Sequence, residues 1–230
     1  MERLLLIETS TALCSTALAE DGVIVSRRES DVPRAHASMT AVFVQEMLQE
    51  RGLRAQDCDA VCVGMGPGSY TGLRVGVSTA KGLCFGADLP LVAVGTLDTL
   101  VAQACDEGLV PEGCRRIVPL VDARRMEVYT AVFTPEGERL TEVEPLVIDA
   151  ESFAAERAAG PVLFIGDGAE KCAEVLAGPQ ARFVQCCPKA AGMLRPARAR
   201  FHEKRFEDIA YFEPFYLKQF LTTTPKKRLF

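Results

Sequence analysis

Short apolar runs alternate along the chain with stretches in which apolar residues recur every three or four positions, a pattern typical of a mixed α/β protein. The run RLLLIETS predicts a buried strand, and CSTALAEDGVIVSRRES predicts two more strands joined by a tight turn at residues 20–22. An Asp-Gly pair between two β-rich runs is a hairpin signal. The first three elements are therefore expected to be antiparallel neighbours.

Helical spacing begins over residues 37–51, where apolar residues fall into two columns that repeat every four positions. The two columns consist of Met39, Phe43 and Met47, and of Val44 and Leu48. The run DAVCVG then predicts a fully buried strand. A second helix is expected to begin between residues 69 and 71, where Ser or Thr can cap it, and to end at Gly86. A strand LVAV and a third helix over residues 96–105 follow.

The second half opens much as the first does, because IVPLVDARRMEVYTAVF predicts two strands around a turn at residues 123–125. Further along, TEVEPLVI and PVLFIGDG predict strands, and residues 151–159 and 169–176 predict helices. The expected fold class is α/β, with a mixed sheet and helices in each of two lobes.

The boundary between the lobes is predicted at CDEGLVPEGCRR, residues 105–116, because its Gly and Pro residues are typical of a segment that connects two folded regions. We therefore expect an N-terminal lobe over residues 1–105 and a C-terminal lobe over residues 106–230. The final helix is free in this scheme to pack back on the N-terminal lobe.

Composition and charge exclude several classes of protein. No run of about 18 apolar residues is present, which predicts no membrane span. The N-terminus has no basic leader before its apolar run, so we expect a cytoplasmic protein. The nine cysteines follow no Cys-x-x-Cys pattern, which predicts buried thiols rather than a zinc site or a disulfide framework. The net charge of −5 argues against nucleic-acid binding by this chain alone.

The stretch GMGPGSYTGLRVG, residues 64–76, concentrates five glycines directly after a predicted strand. It lacks the Gly-Lys-Ser/Thr ending of a P-loop and the acidic residue of a dinucleotide fingerprint. Gly72, Gly76 and Ala80 stand four positions apart and form a stripe almost without side chains on the second helix. Glycine inside a helix costs about 1 kcal/mol relative to alanine, which indicates that something packs closely there. Either this chain's own sheet or first helix fills the stripe, or the helix of another chain does.

The chain resembles the TsaB family of tRNA threonylcarbamoyladenosine biosynthesis proteins over almost its whole length, through LLLIETST, PRAHASMTAVF, VGMGPGSYTGLRVGVSTAKGL, VPLVDARRMEVYTAVF, FIGDGA and EPFYLK. This resemblance implies a two-lobed fold of the actin, sugar-kinase and Hsp70 type. It also implies a non-catalytic partner of TsaD, a paralogue that transfers a threonylcarbamoyl group from an adenylate onto a tRNA adenosine beside the anticodon. The ATPase TsaE is implied as a further partner, and tRNA is met only within the complex.

The residues do not favour catalysis by this chain itself. Catalytic relatives bind a metal through two histidines four positions apart, whereas His36 is followed at that spacing by Thr40, and His202 lies far away. We therefore predict no metal site and no catalytic residues, and we expect His36 to lie at a helix start. The alternative hypothesis is an ATP-dependent small-molecule kinase or carbamoyl transferase of the same fold.

A nucleotide site, if retained, is expected to be degenerate. The fold class uses two phosphate loops that open with Asp-x-Gly, but the first loop here has no glycine to let backbone amides curl around a phosphate. The second loop keeps an aspartate beside two arginines, and only the turn GDG has its expected form. The candidate residues are Glu8, Thr9, Ser10, Asp122, Arg124, Gly166 and Gly168. No cofactor is expected to be required, and weak binding of ATP or ADP stays open.

The partner surface is expected on the first two helices, because the first is apolar on more than one face and only one face can cover the sheet. The resemblance implies that TsaD has the same fold, so we expect TsaD to bind the surface through which this chain would form a homodimer when it is alone. The predicted interface residues are Met39, Phe43, Met47, Gly68, Tyr70, Thr71, Gly72, Gly76, Ala80 and Leu83. The basic segments 195–205 and 225–230 are interpreted as a solvated helix face and a chain end, or alternatively as contacts to tRNA phosphates in the assembly.

Overall fold

The computed structural model describes residues 1–218, which form two five-stranded sheets flanked by helices. The first sheet has the order β3-β2-β1-β4-β5, in which β1, β2 and β3 pair antiparallel and β1, β4 and β5 pair parallel. Its strands are β1 (Arg3–Glu8), β2 (Cys14–Glu20), β3 (Val23–Ser30), β4 (Ala60–Gly66) and β5 (Leu91–Gly95). The predicted hairpin is confirmed, since Asp21 and Gly22 make the turn with φ angles of 47° and 81°.

The second sheet repeats this plan with the order β10-β9-β6-β7-β8. Its first three strands in the chain pair antiparallel, and the last two lie parallel to the first. They are β6 (Arg116–Asp122), β7 (Glu127–Thr130), β8 (Glu144–Val147), β9 (Val162–Gly166) and β10 (Ala181–Gln185). Two mixed sheets with helices confirm the predicted α/β class.

Helices cover both faces of the first sheet because successive strand residues point to opposite sides. On one face, α1 (His36–Glu50) and α2 (Tyr70–Ala87) pack on a core that contains Leu5 and Ile7. On the other face, a 3-10 turn over Ala190–Met193 and the helix α6 (Leu194–His202) pack on a core that contains Leu4 and Leu6. The sheet made by the first half of the chain is thus completed by residues near its end.

The second sheet is also covered on both sides. α3 (Thr96–Asp106) follows β5 directly and packs its apolar side chains on one face of this sheet, so it joins the two lobes. α5 (Ala169–Leu176) packs on the opposite face, and the short α4 (Ala154–Ala159) precedes β9. Among residues 1–218, no helix is long and apolar enough to cross a membrane.

After α6 the chain runs back along the first lobe and then reaches the second. The backbone N–H of Glu207 donates to the Leu91 carbonyl at 2.9 Å, and that of Phe215 donates to the Met65 carbonyl at 2.8 Å. Lys218 then pairs with Glu127 of β7 in the second lobe. We refer to residues 203–218 as the C-terminal segment.

Several local expectations need correction. The strand β10 was not predicted, because ARFVQ is half-exposed at a sheet edge and carries little apolar pattern. The helix expected over residues 151–159 begins only at Ala154, and the strand expected in TEVEPLVI is confined to residues 144–147. The basic tail 225–230 lies outside the described residues. Of the nine cysteines, all are free, six are buried and three are half-buried, as expected of small apolar side chains.

Candidate functional site

The loop that follows β1 is sealed inside the first lobe. Glu8 and Thr9 have no exposed surface, and Ser10 is only 1% exposed. The Thr9 hydroxyl donates to the Gly72 carbonyl at 2.8 Å, and the Ser69 N–H donates to the Ser10 carbonyl at 2.6 Å. The N-terminus of α2 therefore sits directly on this loop and covers it.

The glycine stripe of α2, Gly72 and Gly76, packs directly against that loop. A Cβ atom on Gly72 or Gly76 would lie less than 3.0 Å from Thr9 atoms, and one on Gly68 would lie less than 3.0 Å from the Ser10 carbonyl oxygen. Ala80 is fully buried in the same lobe. The expectation that this stripe faces another chain is therefore wrong, because the chain's own β1 loop already fills it.

The apolar columns of α1 also face inward. Phe43 and Met47 are 7% and 0% exposed, and Met39 is half-buried. The second column, Val44 and Leu48, is equally buried in the core of the first lobe. One wide apolar face thus covers both the sheet and α2, and the expectation of a second, exposed apolar column is wrong.

The outer surface of α1 and α2 carries different residues. On α2, Ser78, Gly82 and Gly86 are exposed at a spacing of four, and a Cβ atom on Gly82 or Gly86 would meet nothing within 4 Å. Phe85 lies on the same face and is 83% exposed. We call these four residues of α2 the outer face. The sequence also contains this i, i+4 spacing, but the stripe of Gly72, Gly76 and Ala80 has the same spacing and contains two glycines as well.

A groove borders the outer face on the side of α1. It has a volume of about 330 Å³ and includes Leu83 from α2 together with Ala41 and Gln45 from α1. Of the predicted interface residues, Thr71 is exposed and Leu83 is half-buried in this groove. Gly82 and Gly86 leave the backbone of α2 open to close approach beside this groove.

On the other side of α2 lies the C-terminal segment. Tyr70, a predicted interface residue, stacks on Tyr216 with ring centroids 4.3 Å apart and planes 6° apart. The Lys81 ammonium donates to the carbonyls of Ala210 and Phe212 at 3.3 and 3.2 Å. The part of α2 around Tyr70 is thus occupied by this chain's own residues.

Glu8 is a carboxylic acid in an apolar, closed environment. Its Oε1 accepts a hydrogen bond from the Ser10 N–H at 2.7 Å, whereas its Oε2 has no partner within the described chain. Burial raises its pKa from 4.5 to about 7, and the hydrogen bonds of Ser10 oppose that shift. A Cβ atom on Gly64 would collide with this carboxyl group, which explains the glycine there.

The second candidate loop, between β6 and β7, is open but internally bonded. Asp122 pairs with Lys171 and accepts from the Arg124 N–H at 2.8 Å. Asp167 accepts from the Asp122 N–H at 2.9 Å, and burial raises the pKa of Asp167 to about 6. The structure leaves the Arg124 side chain exposed to solvent.

Gly166 and Gly168 are needed for packing beneath this loop. Gly166 has a φ of 135°, and a Cβ atom there would collide with the Leu120 carbonyl oxygen. A Cβ atom on Gly168 would lie 3.0 Å from the same carbonyl oxygen, to which the Gly168 N–H donates at 2.9 Å. Both glycines therefore have a structural reason that does not involve a ligand.

A nucleotide does not fit the first of these loops as it stands. The backbone amide of Ser10 is already bonded to Glu8, the loop is buried, and a carboxylate rather than a free amide lies at its centre. An anion placed there would face Glu8 without a compensating cation. The candidate residues of the two loops are therefore present, but the first loop does not offer a phosphate site.

The histidines do not form a metal site. His36 begins α1 as expected, and its Nε2 lies 3.0 Å from the Thr11 carbonyl oxygen. His202, on α6, pairs with Glu2 together with Arg198, so part of the basic segment 195–205 anchors the N-terminus. Within residues 1–218, no group of three or more His, Cys, Asp or Glu side chains is arranged to hold a metal ion.

Comparisons with known proteins agree with the sequence motifs. The family model described as "TsaD: tRNA N6-adenosine threonylcarbamoyltransferase" matches residues 28–212. The tRNA threonylcarbamoyladenosine biosynthesis protein TsaB of Escherichia coli (strain K12) is 31% identical over 94% of this chain and 94% of that protein. TsaB of Bacillus subtilis (strain 168) is 32% identical over 71% of this chain and 70% of that protein.

Solved structures show the same relationship. YeaZ from Pseudomonas aeruginosa has a TM-score of 0.80 and 27% identity, and the match covers 94% of this chain and 100% of that one. The resemblance inferred from the motifs is thus confirmed by matches that span both lobes. The chain belongs to the TsaB family, within the wider family of the TsaD threonylcarbamoyltransferases.

Proposed function

We propose that this chain is a non-catalytic subunit of the cytoplasmic complex that makes N6-threonylcarbamoyladenosine in tRNA. In that role it binds TsaD, holds TsaD in an active conformation and helps to recruit TsaE. Its family membership supports a part in this biosynthesis, because its relatives bear that name. tRNA is then contacted within the assembly, which suits a chain with a net charge of −5.

The observation that carries the proposal is the outer face of α2 together with the neighbouring groove. Phe85 exposes 83% of its surface beside two glycines whose backbones are open. A large aromatic side chain at the centre of a small-residue surface is the typical anchor of a helix-to-helix interface. When TsaD is absent, two copies of this chain can pair through the same face.

The two loops support a role without catalysis. Glu8 is sealed under α2, and Asp122 is neutralised by Lys171. A nucleotide-bound cation could not reach Glu8, and it would have to displace Lys171 to reach Asp122. We therefore propose that the chain functions without a bound nucleotide of its own.

The test compares the wild-type chain with Phe85→Glu. We expect the wild type to form a heteromer with TsaD in light-scattering chromatography, and only the mixture with TsaD and TsaE to modify tRNA. Phe85→Glu buries a charge in the interface, so we expect affinity for TsaD at least about 30-fold weaker. Val147→Glu, at a 65% exposed position of the second lobe, is the matched control and should behave as wild type.

Two outcomes would contradict the proposal. If Phe85→Glu binds TsaD as tightly as the wild type, the outer face is not the interface. If the chain alone hydrolyses ATP and does not associate with TsaD, the kinase or carbamoyl-transferase hypothesis is the better one. Circular dichroism of each variant separates loss of binding from loss of folding.

A further inference from the structure

A cavity of about 130 Å³ lies where the two lobes and the C-terminal segment meet, away from the outer face of α2. The first lobe contributes Pro67 after β4 and Leu97 at the start of α3, and the second lobe contributes Val143. Phe215 of the C-terminal segment closes one side. Part of its lining is therefore apolar, and the lining residues come from parts of the chain that are distant in sequence.

Four charged side chains also line the cavity, and among residues 1–218 only two of them form an ion pair with each other. Arg139 lies 3.8 Å from Asp98, so these two form an ion pair. Arg200 of α6 and Glu142 of the second lobe also line the cavity. Neither has an ion pair or a side-chain hydrogen bond to any residue among 1–218. Among residues 1–218, half-buried Arg200 and exposed Glu142 thus line the cavity as one cation and one anion without an ion pair.

We propose that this cavity binds a small zwitterion of the α-amino-acid class. The Arg200 guanidinium pairs with the ligand carboxylate, for which its planar fork is suited. Glu142 receives the ligand ammonium group, and the apolar part of the lining contacts a short side chain. A ligand with both charges satisfies both side chains, whereas a simple anion or cation leaves one of them unpaired.

The size of the cavity narrows the class of ligand. An apolar cavity of about 150 Å³ holds a single benzene molecule, so a volume of 130 Å³ admits a ligand of similar bulk. Glycine, alanine and valine are within that limit, but a nucleotide or an aromatic amino acid is not. The inference does not depend on the tRNA role, because the cavity and the outer face share no residue.

The experiment measures binding of glycine, alanine, valine and phenylalanine to the full chain by calorimetry and saturation-transfer NMR. Acetate and methylammonium serve as probes with one charge. Arg200→Gln should weaken binding of the preferred amino acid about 10- to 100-fold, the loss expected for a charged hydrogen-bonded pair. Arg195→Gln is the matched control, because Arg195 lies on the same helix and pairs with Asp106 outside the cavity.

A second variant tests the cavity without removing a charge. Val143→Phe should fill part of the cavity and abolish binding while leaving thermal unfolding near that of the wild type. The proposal stands if a small amino acid binds saturably, with phenylalanine and both one-charge probes at least tenfold weaker, as a loss of about 1.4 kcal/mol gives. It is overturned if no amino acid binds at about 10 mM, where a ligand of this size should be detected. Equal loss in Arg200→Gln and Arg195→Gln would overturn it as well.

Discussion

Glu8 shows how burial changes the chemistry of a single side chain. At the end of β1 it is fully buried, with one oxygen bonded to the Ser10 N–H and the other without a partner in the described chain. Its pKa of about 7, raised by burial from 4.5, means that the folded protein binds this proton more tightly than the unfolded chain does. Glu8 therefore destabilises the fold once it must ionise.

The pH dependence follows from that direction. Between about pH 4.5 and pH 7 the folded state holds a proton that the unfolded state has released, so stability falls as the pH rises. Above pH 7 both states are ionised and the loss is complete. Glu8→Gln keeps the acceptor for Ser10 without the charge, so it should stabilise the protein at pH 8 by up to about 3 kcal/mol.

Urea unfolding at pH 5 and pH 8 measures this difference. The gain from Glu8→Gln should be much smaller at pH 5 than at pH 8 and should vanish well below the unfolded-state pKa of 4.5, where the wild-type carboxyl is protonated in both states. Glu112→Gln, at an exposed position, should change stability at neither pH. A Glu8→Gln gain that did not vary with pH would show that the burial of charge is not its cause.

The helix α2 carries two stripes of small residues, of which one is buried against the chain's own loop and the other is exposed. The inner stripe, Gly72 and Gly76, receives the Thr9 loop, whereas the stripe of Gly82 and Gly86 is open. The same residue type is thus required at one position and merely tolerated at another. Only contact with the rest of the chain tells the two apart.

Alanine substitutions in the two stripes should change the stability of the protein in opposite directions. In Gly76→Ala the new methyl group would collide with the Thr9 hydroxyl, which already bonds to Gly72, so we expect a loss of about 1–3 kcal/mol. Gly82→Ala meets open space and should gain up to about 1 kcal/mol from helix propensity. Chemical denaturation of both variants is the measurement, and equal effects would contradict the assignment of inner and outer stripes.

The spacing of apolar residues and the turn residues predicted most helices and strands, because both kinds of pattern depend only on neighbouring residues. The hairpin at Asp21 and Gly22, the start of α1 at His36 and the α/β order all follow from local pattern. The direction that α2 faces could not be predicted, since two stripes at the same spacing competed and the partner loop lies about 65 residues earlier in the chain. Burial of Glu8 was equally hidden, because a carboxylate after a strand looks the same whether covered or open.

On the scale of the whole molecule, the first lobe is assembled from both ends of the chain. Ala190, Met193 and Ala197 fill the face of the first sheet that α1 and α2 leave bare. The predicted lobe boundary near residue 105 therefore divides the chain in sequence but does not separate the two cores in space.

A chain of residues 1–105 should therefore fail to fold cooperatively by itself. It would expose the sheet face that contains Leu4 and Leu6, which are nearly inaccessible in the full chain. Two-dimensional NMR of residues 1–105 is the measurement, and a sharp, well-dispersed spectrum would refute the need for residues 190–201.

In the full chain, Met193→Ala should lower the free energy of unfolding by about 2–5 kcal/mol, the usual range for a buried methionine. Chemical denaturation of this variant measures the loss.

This closure of the first sheet by α6 sets an order in time as well as in space. Strands β6 to β10 and the helices that cover them are complete once residue 185 has left the ribosome, because α3 has already been made. The first sheet, although synthesised earlier, must wait for residues 190–201 to cover its second face. We therefore expect the second lobe, whose synthesis begins later, to reach its native state first, and the nascent N-terminal sheet to depend on chaperones in the interval.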